Sequence, residues 1–535
     1  MAKSERVILA SNNVVAQLRG ATKELVTVVA DLLSYEIEGV EYMGTRNWNG
    51  RSSFYARRND TFPAGFIHLV HHELMRLGHK VELVRRAHAT PLGVVFPVVD
   101  EFGNDNPDYD FQMRALRQVE KHGRGIIQVA TGGGKSKIAK LIAARFRRVT
   151  LFLTTRGILM YQMADGFKSA GFNVGIIGDS VWKPVRGVNC GMVQTFVAKL
   201  KQPDLNVEIR SIVAEHAEAD EKAIAKGIPR PKALNRKDIE VIADQRFKEK
   251  RAQYERYVKV LELVEVVIGE EAHEAGGDSY YEILRHCKNA SIRVALTATP
   301  FMRDSSEDNM RLMAAFGPVL LKVSEKLLID RGILATPSFK FHLSKPHPKL
   351  HRTSPWQRAY ELGYVQNTLM HADIVAEAKQ AAKYKLPVMT LVQRTKHGKA
   401  LQKAMQAAGL RAEFIQGEDD QVARKRALDR LRKGLIHVLI GTTILDVGVD
   451  VPAVGLVQLA GGGKAEVALR QRIGRGMRSK KTGPNVCFVT DYSVDLNQHL
   501  RIHALARRAI IESTEGFKER ILAPDAEHPW HLFMK

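Results

Sequence analysis

The residues best suited to chemistry lie at Val129-Ala130-Thr131-Gly132-Gly133-Gly134-Lys135-Ser136. An apolar run precedes them and helical spacing follows, which is the setting of a phosphate-binding loop. Three consecutive glycines let backbone N–H groups turn onto an anion, and the helix start adds positive dipole character. Lys135 would reach the outer phosphates of a nucleotide and Ser136 would hold Mg²⁺. Farther on, Glu270-Glu271-Ala272-His273 ends an apolar run. Adjacent carboxylates at a strand end supply Glu270 for the metal shell, through water, and Glu271 to orient or deprotonate the attacking water. Leu296-Thr297-Ala298-Thr299-Pro300 closes another run with small hydroxyls that can hydrogen-bond neighbouring loops.

A second set begins with Gly441-Thr442-Thr443 and Gly448-Val449-Asp450-Val451-Pro452, and ends at Gln471-Arg472-Ile473-Gly474-Arg475-Gly476-Met477-Arg478. Arg475 and Arg478 are three apart, so a helix would put them on one face. Guanidiniums presented to a nucleotide stabilise charge on the transferring phosphoryl group, an effect worth roughly 10³–10⁵ in rate.

The elements that must position these groups follow from periodicity. Ile126–Val129, Thr150–Leu153, Val264–Ile268 and Ile292–Leu296 read as strands alternating with helices. The pattern resumes at Val388–Val392, His437–Ile440, Val454–Leu459 and Val486–Val489. Such alternation predicts two parallel α/β sheets. Lys201–Lys259, rich in Ala, Lys, Glu and Arg and broken at Gly227–Pro231, reads as an inserted helical pair. The first hundred residues read as a small α+β module. A strand is expected over Arg51–Arg57, a helix through Phe66, Val70, Leu74 and Leu77 ending at Gly78, and another strand at Val81–Val84. Asp100–Asp110 is linker-like, and the tail after Asp495 is helical and basic.

Composition sets the outer bounds. The chain has 535 residues, enough for two to four domains, and a formal net charge of +23, a field that attracts polyanions. No apolar run reaches the roughly 18 residues that cross a bilayer. Met1–Glu24 shows no signal-peptide core, so a cytoplasmic protein is expected, in the host cytoplasm if the gene is a phage's. The three cysteines, Cys190, Cys287 and Cys487, are far apart and fit reduced core residues.

In their order these motifs resemble superfamily-two helicases, over about Asp110 to Asp491. The resemblance implies two tandem RecA-like parallel-sheet domains that use ATP and Mg²⁺, here behind a small α+β N-terminal domain. It makes Lys135, Glu270, Glu271, Arg475 and Arg478 catalytic. It assigns nucleotide binding to Gln112, within Phe111-Gln112, to Thr131, Gly132, Gly133, Gly134, Lys135 and Ser136, and to Gly448, Asp450 and Gln471. Coupling falls to His273, Thr297 and Thr299, and nucleic-acid contact to Thr155, Gln162, Gln194, Thr195, His397 and Thr442. Gln162-Met163-Ala164-Asp165 with Phe167, Val193-Gln194-Thr195 and His397-Gly398-Lys399-Ala400 look like UvsW-type phage helicases, which remodel branched DNA. Leu296 to Arg303 is similar to the wider group of XPB-type helicases and type III restriction motors. Trp48-Asn49-Gly50-Arg51 and Phe62-Pro63-Ala64-Gly65 look like the small DNA-binding domain ahead of a UvsW-type motor, which adds Trp48 and Arg51 to the contacts.

Two positions depart from the family pattern. Val129 replaces the first loop glycine, as helicases commonly allow, and Glu270 stands where the family has Asp, one methylene shorter. The implied domains are 1–100, 101–335 with the insertion 201–259, 336–495 and a tail 496–535. The implied function is an ATP-dependent helicase or translocase on branched, forked or single-stranded DNA, working beside replication or recombination proteins. The alternatives are an RNA helicase and a binding protein weakened in turnover at Glu270.

Overall fold

The computed structural model describes residues 6–37, 50–272, 276–301, 306–416, 421–442, 453–463, 469–470, 473–474, 476–480 and 483–533. The chain divides into two compact units: Met1–Gly103 with Ala115–Ile127 and Ala139–Leu320, and Asn104–Arg114 with Gln128–Ile138 and Leu321–Lys535.

The first unit opens with alternating burial, Val7 and Leu9 in strand Val7–Ser11 and Ala16 and Leu18 in strand Val15–Arg19. These pair antiparallel. Thr61–Pro63 joins the second strand and Val81–Arg85 runs parallel to the first, giving a four-stranded sheet. Leu25 and Val29 of helix Lys23–Leu32 and Val70 and Leu74 of helix Ile67–Arg76 complete its core. The module is not a free-standing bead. Its core takes in Ala314 and packs against Tyr281, Met310 and Met313.

The strand expected over Arg51–Arg57 is shorter. Only Arg51–Ser53 is extended, paired with Ser34–Glu36, because the chain then folds back to reach Thr61–Pro63. Tyr55 turns inward, 5% exposed, with its hydroxyl 3.0 Å from Asp60 Oδ1. Phe54 packs on Tyr35, Phe66 and Tyr281, at centroid distances of 5.0, 5.3 and 6.2 Å. Tyr55 lies in the module's core and Phe54, half-buried, packs against it.

The rest of the first unit is built on an eight-stranded sheet. Its order is Val181–Lys183, Val174–Gly178, Val188–Met192, Thr150–Thr154, Val266–Glu270, Ile292–Thr297, Arg124–Val129, Val319–Val323. Strands read from the sequence appear within a residue or two. Val188–Met192 was not legible because its buried Asn189 looks like a loop residue. Asn189 is satisfied locally, accepting from Val185 N–H and donating to Val185 O. The insertion is a pair of long helices, Leu205–Lys226 and Arg236–Leu263. Asn235 and Asp238 close a capping box on the second, and Gly227 caps the first in the left-handed region.

The second unit holds a six-stranded, all-parallel sheet: Thr336–Leu343, Val486–Ser493, Leu456–Leu459, Val388–Leu391, Val438–Gly441, Ala412–Ile415. Pro337 is tolerated because its strand is at the edge. The tail is part of this core. Arg507 of helix Gln498–Ser513 makes a buried bidentate pair with Asp491, and Trp530 lies 4.8 Å from the Phe488 ring. The fold is thus α/β, two RecA-like parallel-sheet domains with a small α+β domain in front. Among the described residues no helix is long and apolar enough to cross a membrane.

Candidate functional site

Strand Arg124–Val129 ends in buried Val129, and helix Lys135–Phe146 starts six residues later. Gly132 and Gly134 between them take φ of +92° and +82°, a region closed to most side chains, so the chain can wrap its N–H groups around an anion. Ala130 N–H anchors the loop to Val323 O at 3.0 Å. Lys135 is 9% exposed at the helix start, while Gly132 and Ser136 face solvent and Thr131 is half-buried.

The second unit gathers several other sequence-predicted residues around this loop. Gln112, on helix Asp110–His122 and 4% exposed, donates its amide to Gly133 O at 3.4 Å. A Cβ added at Gly134 would sit 2.5 Å from Gln112 Nε2, so glycine is needed for this approach. From the far end of the sequence, Gly474 comes against Thr131, where an added Cβ would lie 2.9 Å from Thr131 Cβ. The segment carrying Gly474 is held by Arg470 on Glu325, 3.2 Å, and by Ala335 N–H on Met477 O, 2.6 Å.

Local pattern gave no sign of Arg331. Its guanidinium reaches Asp108 O at 2.8 Å and Asp110 Oδ1 at 2.5 Å and lies over the Phe111 ring. That contact holds the Asp110 carboxyl below the usual carboxylate range and ties down the start of the helix that carries Gln112. Glu325 and Leu334, which also support the loop region, are equally invisible in sequence.

Arg478 departs from the helical expectation. The helix ends before it, and Arg478 sits exposed in an antiparallel bridge with Leu334, so it does not extend a helical face from position 475. Arg475, Gln471, Gly448, Asp450, His273 and Trp48 lie outside the described residues.

In the first unit, parallel strands bring their carboxyl ends to one edge, where ligands of open α/β sheets bind. Glu270, 4% exposed, ends strand Val266–Glu270 level with Leu296 of strand Ile292–Thr297. Glu271 has φ +46° and donates its N–H to Leu296 O at 3.0 Å. A left-handed non-glycine residue costs of order 1–3 kcal/mol and persists where the surroundings enforce it. Tyr280 Oη donates to Glu270 O at 3.0 Å and fixes the turn from behind. Thr297 and Thr299 are buried, with Thr299 N–H on Thr297 Oγ1 at 3.2 Å.

The same edge carries Thr155, after strand Thr150–Thr154, and Gln194 and Thr195, after Val188–Met192. Gln194 Nε2 donates to Thr155 O at 2.9 Å, so these residues form one patch, and Gln162 is exposed on helix Gly157–Ser169.

Other expected contacts come out differently. His397 is 0% exposed, stacked on His371 at 5.1 Å, and neither ring nitrogen has a hydrogen-bond partner. At that burial the ring presents no surface to a phosphate, and Gly398 beside it lies hard against the Phe414 ring. Thr442 follows strand Val438–Gly441 at 8% exposure. Arg51 is exposed but engaged with Ser34 Oγ at 2.7 Å and Glu36 Oε1 at 3.2 Å. The cysteines are buried and free, and burial pushes the thiols of Cys190 and Cys287 to about 12 and that of Cys487 to about 11.

A phosphate loop with a buried glutamine on it, in a chain of two RecA-like domains, defines a P-loop NTPase of the motor class. Family comparison agrees. Residues 107–302 match the family model described as type III restriction enzyme, res subunit, and residues 372–480 match the helicase conserved C-terminal domain. The chain belongs to the superfamily-two helicases.

Among curated proteins it is similar to putative helicase 22 of Sulfolobus islandicus filamentous virus, 25% identical over 270 residues, 48% of this chain and 47% of that protein. It is also similar to the pre-mRNA-splicing ATP-dependent RNA helicase prp28 of Schizosaccharomyces pombe, 29% identical over 128 residues, 24% of this chain and 19% of that one. The chain thus spans about half or less of the length of these relatives. Among solved structures, the helicase MrfA bound to DNA and AMPPNP aligns with TM-score 0.50 at 12% identity, covering 80% of this chain and 55% of that one. Phage T4 UvsW aligns over 97% of this chain and 99% of its own, with TM-score 0.42 and 16% identity.

Proposed function

We propose that this chain is an ATP-dependent helicase or translocase that acts on DNA, with forked and recombination-type junctions as substrates in phage replication, recombination and repair. The observation that carries the reading is the loop 130–134 with Gln112 on its carbonyl side and Gly474 against Thr131. Nucleotide recognition and the arginine-bearing segment then report on the same phosphates.

In this reading the loop N–H groups and Lys135 bind the β- and γ-phosphates. Glu271 takes the proton of the attacking water, its carboxylate aimed by the enforced backbone turn. The glycine cradle fits a phosphate chain, and Ser136 and Glu270 would hold the accompanying Mg²⁺, whose charge neutralises the phosphoryl oxygens. Arg475 and Arg478 act on the transferring group, the latter from an extended segment. Thr155, Gln162, Gln194 and Thr195 would grip a strand's backbone, which implies little sequence preference. Thr297 and Thr299, beside the Glu270–Glu271 turn, would couple hydrolysis to grip. Work on phage DNA places the chain in the host cytoplasm.

DNA is preferred over RNA on the resemblance of the N-terminal segments around Gly50 and Phe62. The RNA reading has in its favour the similarity to several RNA helicases, splicing ones among them. ATP hydrolysis measured with linear duplex, forked DNA, a four-way junction and RNA separates them. Stimulation by forked DNA and the junction above linear duplex, with unwinding of both, is expected. Stimulation by RNA alone overturns the DNA assignment, and absence of hydrolysis with every polymer overturns the motor.

A further inference from the structure

Where the N-terminal module meets the first motor domain, within one compact unit, basic side chains from five segments converge on a small pocket. His68 comes from helix Ile67–Arg76, Arg85 from the end of strand Val81–Arg85, and Arg86 and His88 from the chain just after it. His122 ends helix Asp110–His122 and Arg124 begins strand Arg124–Val129. No carboxylate lines the pocket among the described residues. Arg85 and Arg86 are exposed at its mouth, and the other four are half-buried.

This arrangement is costly without an anion. Like charges close together in a low-dielectric setting repel, and each guanidinium stays charged at any ordinary pH. Arg124 donates to backbone, at Asn13 O, 2.5 Å away. Burial, then Arg293 and Arg85, hold it well below its ordinary range. His68 is driven down to about 4 by burial and by Arg85, His122, Arg124 and His71. His88 is lowered by burial with Arg85, Arg124 and His122, and His122 by burial with Lys121 and Arg85. Beside burial and neighbouring imidazoles, the charged groups acting on these three rings are Arg85, Arg124 and Lys121, all cations. The helix ending at His122 contributes roughly half a negative charge there, too little to balance three guanidiniums.

Size narrows the ligand. The cavity is about 30 Å³, room for about two water-sized groups, and it opens past the exposed Arg85 and Arg86, so it suits the oxygens of one phosphate better than an enclosed base or nucleoside. Planar guanidiniums present paired donors that match phosphate oxygens. The imidazoles can add N–H donors, since an anion reverses the field that keeps them neutral. Ser291, 7% exposed, accepts from Ala89 N–H on its Oγ at this wall, 2.8 Å, which fixes the segment carrying His88.

We propose that this pocket, walled by His68, Arg85, Arg86, His88, His122 and Arg124, is a seat for a single phosphate group. Resting on the nucleic-acid reading above, the favoured source is one backbone phosphate of the bound polymer. The seat would fix the polymer's register at the junction of module and motor.

The test uses the full chain and the double variant Arg85→Gln/Arg86→Gln, whose exposed positions leave the core intact, with melting temperature as the check on folding. Affinity for a forked DNA is measured across a salt series. Each neutralised duplex phosphate contributes a slope of about −0.9 in log K against log salt, so the variant's slope is expected to be shallower by about one. In parallel, inorganic phosphate is titrated calorimetrically into Lys135→Ala with and without the double substitution, which keeps the phosphate loop out of the comparison. A shallower slope assigns the seat to backbone phosphate. An unchanged slope with phosphate heat lost in the variant assigns it to a free or small-molecule phosphate. If neither slope nor heat changes, the seat does not exist. If the wild-type chain binds no nucleic acid, the proposed function fails, and the calorimetric arm still decides the pocket.

Discussion

At the scale of single residues, the two acids after strand Val266–Glu270 are set apart by backbone. Glu270 continues the strand, whereas Glu271 is forced to φ +46°, which turns its side chain out of the strand's alternation. Glu271→Gln is therefore expected to retain ATP binding and to lose at least about 100-fold in hydrolysis, the usual scale for a general base. Single-turnover hydrolysis beside nucleotide affinity measures both, and unchanged turnover would move the role to Glu270. Lys135→Ala removes the cation at the start of the loop's helix and should abolish turnover while the melting temperature holds within a few degrees. A normal ATPase rate would remove the phosphate-loop assignment.

His397 supplies a prediction about pH. Burial, followed by His371, lowers its ring to about 3, and His528 is lowered to about 3 by burial and Lys340. Both are neutral in the fold, and the unfolded chain takes up protons first as pH falls below about 6.5. Stability is thus fully present above that value and declines toward pH 3. Each ring costs roughly 2 kcal/mol at pH 5 relative to pH 8 by linkage. His397→Leu should flatten the fall in melting temperature between pH 7 and 5. An unchanged slope would mean that the ring is protonated, and so solvated, in the folded chain.

At the scale of elements, the inserted helices separate into a rooted half and a free half. Tyr257 and Leu261 sit in the motor core, with Tyr257 4.3 Å from Trp182 and Lys250 clamped on the buried Glu208 at 2.6 Å. Beyond the bidentate pair of Arg246 and Glu215, both contacts at 3.0 Å, the arm from 216 to 245 is largely exposed. It carries six basic and six acidic residues, so it has no net field to attract a polyanion. Replacing His216–Gln245 with a short Gly/Ser turn is expected to leave melting temperature within about 2 °C and to leave forked-DNA affinity unchanged. A clear loss of affinity would identify the arm as a nucleic-acid contact.

At the scale of the molecule, the module's attachment decides how its role can be tested. Gly65 lies so close to the motor that an added Cβ would be 2.2 and 2.4 Å from the carbonyl oxygens of Met313 and Ala314. Backbone cannot yield as a side-chain tip can, and overpacking of this kind costs about 1–3 kcal/mol or more. Removing Met1 to Asp100 would uncover Ala314 and its neighbours, so truncation confounds recognition with stability. Gly65→Val is the better probe. It should lower the melting temperature, raise protease sensitivity between module and motor, and reduce the preference for junction over linear duplex while ATP hydrolysis persists. Equal preference in variant and wild type would locate branch recognition in the motor domains.

The sequence by itself determined the class of fold and marked the loops expected to carry chemistry. Glycine runs, carboxylates at strand ends and alternating apolar runs are local signals, because phosphate cradles and parallel strands impose their residue types over a few positions. What surrounds those loops was settled only in three dimensions. Arg331 on the Gln112 helix, Gly474 on Thr131 and the tail's Arg507 on Asp491 join residues far apart in sequence, which periodicity does not register. Burial likewise decided against His397 as a surface contact. Polar and aromatic residues look alike in sequence whether they face solvent or fill a core, and only the packing of neighbouring elements distinguishes the two.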